Sequence, residues 1–402
     1  MLAVSNNLLV PGVSCWKKVL ARRLAILQDA HATFAAMASA LEAARHTVFI
    51  LGWDLDSRTV LRPDRSEPED RVLLPLLCKC LRKRPDLHIF ALVWDFSFIY
   101  AWEREPRPRS QFGRAHPRLH FAMDDRHPAG ASHHQKVLVV DDQVAFVGGI
   151  DLTLHRWDTP VHKARDPHRV DATGAPYEPF HDVHAVVSGP AAVALGELAR
   201  SRWCRRGQRR IPPSPPTPMH DAWPAWLEVD ASDLMVAVAR TSRSDGPQPI
   251  KEIETLILAA IACARRWIYA ETPYLTSASV RRALTARLTE ASGPEILLVL
   301  PAVETGGMEQ SSMGILRAKV LPSLQGQDRH GHLRLLSPVV RDETGSANIA
   351  VHSKILVVDD TLAKIGSANF SSRSMGLDSE CDLVVEARDD ASRALVASLR
   401  NR

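Results

Sequence analysis

The apolar positions of the chain follow one pattern twice. In each half, a segment with apolar residues at helical spacing leads into a short apolar run typical of a strand, and a second such run follows. These segments are RLAILQDAHATFAAMASALEAARH (23–46), TVFILGW (47–53) and LHIFALVWDFS (87–97), and then IKEIETLILAAIACARR (250–266), WIYAETPYL (267–275) and PEILLVLPA (294–302). Each half therefore predicts a helix and two buried strands.

A decapeptide also occurs once in each half. HHQKVLVVDD (133–142) returns as VHSKILVVDD (351–360), and seven of the ten positions are identical. In both copies an apolar run, two aspartates and another apolar run follow one another. This order predicts a strand, a tight acidic turn and a second strand.

The polar residues of the decapeptides divide between two faces of the predicted strand. Residues two apart share a face, so a histidine and a lysine should point the same way, while the aspartate seven positions beyond the histidine should face the other side. We therefore expect the aspartates to brace the fold and each His–Lys pair to address a site. The candidate catalytic motifs comprise His134, Lys136 and Asp141 in the first copy, and His352, Lys354 and Asp359 in the second.

The correspondence continues beyond the decapeptides. AFVGGID (145–151) matches AKIGSAN (363–369). HDVHAVVSG (181–189) matches SECDLVVEA (379–387), which places Asp182 opposite Glu380. These blocks occur in the same order in both halves, which indicates an internal duplication.

The stretch RRGQRRIPPSPPTPMHDAWPAW, rich in Pro and Arg, separates the halves and is typical of a surface linker. We expect an N-terminal half at 1–205, a linker at 206–228 and a C-terminal half at 229–402. Strands that alternate with helices predict an α/β fold in which each half is a mixed sheet flanked by helices. The two halves should pack about a pseudo-twofold axis, with the active site between them.

Composition and charge add limits. The 402 residues are 45% hydrophobic and 24% charged, as in ordinary globular proteins, and the net charge of +4 is too small to indicate nucleic acid by itself. Six cysteines without a Cys-x-x-Cys pair predict neither a disulfide framework nor a zinc site. The N-terminus lacks a signal-peptide pattern, and apolar runs such as TVFILGW fall far short of the roughly 20 residues of a membrane helix. We expect a cytoplasmic protein with at most peripheral membrane contact.

A histidine and a lysine that project together suit chemistry on a phosphate. Neutral imidazole can attack phosphorus or take a proton, imidazolium can protonate a leaving oxygen, and ammonium stabilises charge on non-bridging oxygens. Incidental polar residues explain one copy well, but two matching copies poorly. A metal site built from His133, His134, Asp141 and Asp142 is disfavoured, because Lys136 would lie beside the cation. We expect no metal and no cofactor.

Both motifs resemble the paired HKD motifs of the phospholipase D superfamily. His134-x-Lys136-x4-Asp141 is followed by Gly148-Gly149, and His352-x-Lys354-x4-Asp359 by Gly366-Ser367-x-Asn369. Further blocks look like those of bacterial and eukaryotic phospholipase D proper, so the resemblance extends from about Trp16 to residue 390. These blocks are GWDLDSR (52–58), WDFS (94–97), GGIDLTLHRWD (148–158), FHDVHAVVSGP (180–190), ETPYLTS (271–277) and GSANFSSRSMGLDSECDL (366–383).

The resemblance implies a two-step, metal-independent reaction on a phosphodiester. One histidine attacks phosphorus and forms a phosphohistidine, while the other protonates the departing alcohol; water or a second alcohol then resolves the intermediate. The family pattern assigns the nucleophile to His134 and the general acid/base to His352, although the residues alone leave the two interchangeable. Lys136 and Lys354 would bind the phosphate oxygens.

The resemblance also implies supporting residues. An acidic residue beyond the glycine block should orient each histidine, Asp182 for His134 and Glu380 for His352. His133 should face away and take no part in catalysis. The other implied phosphate- or substrate-binding residues are Gly149, Ser367, Asn369, Trp53, Trp94 and Glu271. Of these, Trp53 and Trp94, together with Phe96, follow predicted strands and either line a lipid crevice or belong to the core.

Our leading interpretation is a phospholipase D that cleaves the distal phosphodiester bond of glycerophospholipids or transfers the phosphatidyl group to an alcohol. A cardiolipin-synthase-like phosphatidyltransferase shares every catalytic residue and stays open, as does a nucleic-acid phosphodiesterase. A catalytically dead lipid-binding protein is disfavoured, because both histidines and both lysines are present. We expect a phospholipid substrate, no nucleic-acid partner and a monomer.

Overall fold

The computed structural model describes residues 7–95, 104–215, 220–243, 248–303 and 320–401. Strands of the N-terminal half are β1 (Lys17–Gln28), β2 (Thr47–Gly52), β3 (His88–Trp94), β4 (Leu119–Asp124), β5 (Val137–Val140), β6 (Val144–Gly148), β7 (Phe180–His181) and β8 (Val183–Ser188). Strands of the C-terminal half are β9 (Ala231–Ser242), β10 (Ile250–Lys251), β11 (Trp267–Glu271), β12 (Glu295–Val299), β13 (Leu333–Leu336), β14 (Val339–Asp342), β15 (Gly345–Asn348), β16 (Ala350–Val351), β17 (Ile355–Val358), β18 (Leu362–Gly366) and β19 (Glu380–Glu386). The helices are α1 (Asp29–Ala43), α2 (Pro68–Arg71), α3 (Leu73–Lys83), α4 (Pro108–Gly113), α5 (Pro190–Arg205), α6 (Glu252–Cys263), α7 (Ala278–Leu288), α8 (Ser372–Gly376) and α9 (Asp390–Asn401).

One mixed sheet of 15 strands runs through both halves; 14 form a continuous order, and β10 pairs with β9 beside it. Its middle is the antiparallel pair of β1 and β9. From there the order outward is β1-β8-β6-β5-β2-β3-β4 on one side and β9-β19-β18-β17-β11-β12-β13 on the other. Corresponding strands of the repeat therefore occupy corresponding places. The predicted α/β class is confirmed, and the sheets of the two halves join edge to edge.

The two long central strands were not predicted. Residues 23–28 were expected to begin a helix, but they end β1, which pairs with β9 on one side and β8 on the other. RLAILQ is apolar almost throughout, and a short apolar run of this kind fits a buried strand as well as a helix. The helix begins only at Asp29, whose φ of 62° marks a sharp change of direction.

Helices cover both faces of the sheet. On one face, α5 and α9 pack over the middle, for example through Trp203 and Val396. On the other face, α1 and α3 cover the N-terminal half and α6 and α7 cover the C-terminal half. The linker is not wholly at the surface, because Trp223 packs into the core of the N-terminal half. Within the described ranges, no helix combines the length and apolar character needed to cross a membrane.

Each decapeptide forms the predicted hairpin. Asp141 and Asp142 adopt positive φ angles of 52° and 54° in the turn between β5 and β6. The Asp141 carboxylate accepts hydrogen bonds of 2.7–2.8 Å from the backbone N–H groups of residues 45–47. Asp359 does the same with residues 265–267, at 2.9 Å. Both aspartates therefore tie a turn to the start of a neighbouring strand, and the structure gives no support for counting them among the catalytic groups.

Candidate active site

The histidines lie just before the strands on which they were predicted. β5 and β17 begin only at Val137 and Ile355, and the preceding residues pair with the opposite half. The N–H of His134 donates to the Ser379 carbonyl at 2.9 Å, and the N–H of His352 donates to the His181 carbonyl at 2.8 Å. Because β5 and β17 run antiparallel to β2 and β11, both histidines emerge at the edge where β2 and β11 end.

Each histidine is held by a carboxylate of the other half. Nδ1 of His134 lies 3.0 Å from Oε2 of Glu380, and Nδ1 of His352 lies 2.7 Å from Oδ2 of Asp182. The predicted pairing, Asp182 with His134 and Glu380 with His352, is therefore wrong, because each carboxylate contacts the histidine of the other half. The residues just before each histidine pair with the residues just before the acidic residue of the other half, through β16 and β7 in one case and a bridge between His133 and Ser379 in the other, so the partners are exchanged.

Burial favours the neutral form of both imidazoles. The histidine side chains are 15% exposed and their carboxylates are fully buried. Burial lowers the pKa of His134 and of His352 well below the ordinary value, and the charges of Lys136 and Lys354 lower it further. A neutral ring that donates its Nδ1 proton to a carboxylate keeps the lone pair on Nε2. Each Nε2 can therefore attack phosphorus or accept a proton.

Both lysines belong to the same site. Lys136 Nζ lies 2.9 Å from Oδ2 of Asp151 and donates to the His134 carbonyl at 3.1 Å. Lys354 Nζ donates to the His352 carbonyl, and burial lowers the pKa of Lys354 to about 7. The charges of both lysines act on both histidines, so the repeat brings two half-sites together.

Two family models match the chain. The one described as "Phospholipase D" covers residues 120–283, and the one described as "Cardiolipin synthase, PLD-like domain" covers residues 257–400. Phospholipase D A of Dictyostelium discoideum is 26% identical over 89% of this chain and 32% of its own length. Phospholipase D alpha 1 of Brassica oleracea var. capitata is 24% identical over 84% of this chain and 58% of its own length. The chain belongs to the phospholipase D superfamily.

Superfamily membership supports an enzyme of the phosphodiesterase or transferase type. The chain spans about a third to three fifths of the length of these curated relatives. The crystal structure of phosphatidylserine synthase from Haemophilus influenzae Rd KW20 has a TM-score of 0.62 and 12% identity, and covers 96% of this chain and 87% of that one. At this identity the likeness concerns the fold alone.

Two residues predicted to bind phosphate, Ser367 and Gly149, lie against the carboxylates of this site. Ser367 is fully buried and donates its hydroxyl hydrogen to Glu380 at 2.5 Å, and Ser374 donates to the same carboxylate at 2.6 Å. The N–H of Gly149 donates to the Val183 carbonyl, and a Cβ at this glycine would lie 2.2 Å from Asp182. These positions shape the carboxylate pockets. Burial raises the pKa of Glu380 to about 7, against the effect of the two serine hydroxyls.

Glu271, predicted on the substrate wall, belongs to a buried network that the sequence did not predict. Nε2 of His181 lies 3.0 Å from Glu271 and Nδ1 lies 2.8 Å from Asp29. Burial lowers the pKa of His181, but Glu271 and Asp29 outweigh it and raise the pKa well above the ordinary value. Asp29 also accepts from the N–H of Asp182 at 3.1 Å, and Glu271 accepts from the Ser353 hydroxyl. The imidazolium of His181 thus connects the two segments that flank His352.

Two side chains of this network, Asp29 and His181, lie close to His162, and all three carry atoms that could ligate a metal. Asp29, His162 and His181 place one such atom each within 4.8 Å of one another. Nδ1 of His162 lies 3.0 Å from Asp158, and its Nε2 lies 3.3 Å from Asp29. Hydrogen bonds and ion pairs thus account for the ring nitrogens, and we assign this cluster to the scaffold of the site.

The remaining predicted residues lie around the first half-site. The Trp94 side chain is buried and donates its Nε1–H to His127, so it belongs to the core. Trp53 is half-buried, and its ring lies 3.8 Å from Cζ of Arg104. Phe96 lies outside the described residues. The His133 nitrogens contact Ser379 and Asp124, in agreement with a ring directed away from the catalytic pair.

Asn369 lies at the repeat position that corresponds to Asp151. It is 5% exposed, and its Oδ1 has no hydrogen-bond partner in the described part of the chain. Its backbone N–H donates to Ser374 at 3.1 Å. Its predicted role in phosphate binding stays a prediction.

Proposed function

We propose that this chain is a phospholipase D that cleaves the distal phosphodiester bond of glycerophospholipids, and that it also transfers the phosphatidyl group to alcohols. The observation that carries the proposal is the pair of histidines, each held at Nδ1 by a buried carboxylate and flanked by a lysine. Two such groups provide a nucleophile and an acid at one phosphate. The names of the curated relatives support the lipid substrate.

In the first step, Nε2 of His134 attacks phosphorus and the bond from phosphorus to the headgroup oxygen breaks. His352 gives that oxygen a proton. His352 is neutral in the empty site, so it must take up a proton when the substrate binds. The negative phosphodiester favours this protonation, because it offsets the lysine charges that lower the pKa of His352. Lys136 and Lys354 stabilise the charge on the non-bridging oxygens.

In the second step, His352 takes a proton from water or from an alcohol, whose oxygen attacks the phosphohistidine. The bond between phosphorus and Nε2 breaks, and His134 returns to its neutral form. Water yields phosphatidate, and an alcohol yields a phosphatidyl alcohol. Glu380 stabilises the positive charge on the ring of His134 while the phosphohistidine exists.

The assignment of His134 as nucleophile follows the family pattern and can be tested with a nitrophenyl phosphodiester. Nitrophenolate leaves without protonation, so His352→Ala should still release one equivalent of nitrophenolate and trap the phosphohistidine. His134→Ala should release none. If His134→Ala releases nitrophenolate and His352→Ala does not, His352 is the nucleophile and His134 is the general acid.

A cardiolipin-synthase-like transferase is the second candidate, because the family model of that description matches residues 257–400. Phosphatidylglycerol as the only lipid distinguishes the two. Cardiolipin as the main product favours the synthase, and phosphatidate favours the lipase. A third arm with plasmid DNA tests the nucleic-acid alternative, which the net charge of +4 does not favour.

We also propose that the halves at 1–205 and 229–402, connected by the linker at 206–228, act together in a monomer. Each histidine depends on a carboxylate from the other half, so neither half contains a complete site. The substrate further implies peripheral contact with a membrane. Light scattering of the purified chain and co-sedimentation with phosphatidylcholine vesicles test these two statements.

A further inference from the structure

The two half-sites differ in the charge beside the lysine. Lys136 forms a buried ion pair with Asp151, with Nζ and Oδ2 2.9 Å apart and both side chains at most 3% exposed. The corresponding residue of the second half is the uncharged Asn369. Within the described residues, Lys354 forms no ion pair. One lysine is therefore paired with a carboxylate in the empty site, and the other is not.

Asp151 is held in place as a carboxylate. Its Oδ1 accepts the backbone N–H of Trp53 at 2.9 Å, while Oδ2 faces Lys136. Burial alone would raise the pKa of Asp151, but the Lys136 ammonium outweighs it and the pKa is lowered. The negative charge also acts on His134. It is thus a fixed part of the electrostatics of the site.

This charge bears on which phosphate the site prefers. A phosphodiester substrate carries one negative charge, whereas a phosphomonoester such as phosphatidate carries about −1.5 to −2 near pH 7. Two unpaired ammonium groups would hold the more highly charged product more tightly than the substrate. We propose that Asp151 determines the charge specificity of the site: it offsets Lys136, so that the site favours a monoanionic phosphodiester over the dianionic monoester it releases.

The inference rests on the proposed function for its biological meaning, but its test needs only anion binding. Asp151→Asn keeps the shape and the acceptor for the Trp53 N–H and removes the charge. Asn369→Asp is the matched variant, because it adds a charge at the corresponding position. The probes are dimethyl phosphate, a monoanion, and methyl phosphate, largely a dianion at pH 7.5, titrated calorimetrically into the full chain.

Coulomb energy is proportional to the charge of the ligand, so the factor for the dianion should be about the square of that for the monoanion. We expect Asp151→Asn to bind dimethyl phosphate about threefold and methyl phosphate about tenfold more tightly than the wild type. Asn369→Asp should weaken the binding of both probes, and it should weaken that of methyl phosphate more. Kinetically, phosphatidate should inhibit Asp151→Asn at about tenfold lower concentration.

Unchanged affinity in Asp151→Asn, or equal factors for the two probes, overturns the inference. Thermal unfolding establishes that each variant is folded; if Asp151→Asn is not, the two factors measured for Asn369→Asp decide alone. If the variants change the probe affinities as expected but the wild-type chain cleaves no phospholipid, the proposed function is refuted and the charge inference stands. If the wild-type chain cleaves phospholipid but the variants leave the probe affinities unchanged, the charge inference is refuted and the proposed function stands.

Discussion

The Nδ1 atom of His352 lies 2.7 Å from the Oδ2 atom of Asp182, although 170 residues separate them in the chain. Glu380 holds His134 in the same way across the pseudo-twofold axis. The histidine of each motif is thus held by a carboxylate of the other half. This exchange explains why the chain carries two copies of one motif and why both copies keep their polar residues.

The exchanged partners can be tested one at a time. Asp182→Asn should lower kcat by about a hundredfold to ten-thousandfold, because the amide no longer fixes the tautomer of His352. In nitrogen NMR spectra of the same variant, the ring resonances of His352 should move and those of His134 should stay. Glu380→Gln should produce the opposite pattern. If the His134 resonances move in Asp182→Asn, Asp182 holds the histidine of its own half and the exchanged pairing is wrong.

Gly149 should tolerate no side chain. A Cβ at this position would lie 2.2 Å from Oδ1 of Asp182, so Gly149→Ala must displace the carboxylate that holds His352. We expect the variant to lose activity by at least about a hundredfold. Gly113→Ala is the control, because a Cβ there meets no atom within 4 Å. Equal activity of the two variants would contradict this account of Gly149.

His181 should act as a positioning residue. His181→Gln removes the positive charge between Asp29 and Glu271, so the segments around His352 should lose their alignment. We expect kcat to fall about tenfold to a hundredfold with little change in KM. His330→Gln, at an exposed position, is the control. An increase in KM with unchanged kcat would place His181 in substrate binding.

The alkaline side of the pH profile should follow Lys354. Burial lowers the pKa of Lys354 from its ordinary value of 10.5 to about 7, and the charged form is the one that binds phosphate. As pH rises through about 7, the empty enzyme loses this charge, so kcat/KM should fall while the protein remains folded. Lys354→Arg keeps its charge at all these pH values and should extend activity to higher pH. An unshifted alkaline limit in this variant would assign the titration to another group.

Much of the site could be predicted from the repeat. The hairpins, the bracing aspartates and the four basic residues of the candidate site follow from local spacing, since strand alternation and turn chemistry act over a few residues. The α/β class also follows from the order of the elements, whereas the single sheet that joins the halves through β1 and β9 does not.

Long-range pairing could not be predicted in the same way. β1 has the same apolar character as a buried helix, and only its contacts with β8 and β9 distinguish the two. Aligning the copies put Asp182 level with Glu380, but an alignment does not tell whether partners lie within a half or across the axis. His181 carried no signal beyond its place before Asp182, because its role depends on Asp29 and Glu271, which are distant in sequence.

Two histidines, one from each half, should form one phospholipid-cleaving site. The most direct measurement incubates phosphatidylcholine with 1-butanol, a chelator and no added divalent metal, for the wild type, His134→Ala and His352→Ala. We predict phosphatidylbutanol and phosphatidate from the wild type, and a loss of at least about a thousandfold in each variant. Substantial turnover by either variant, or a wild type that degrades plasmid DNA and leaves the lipid intact, would contradict the account.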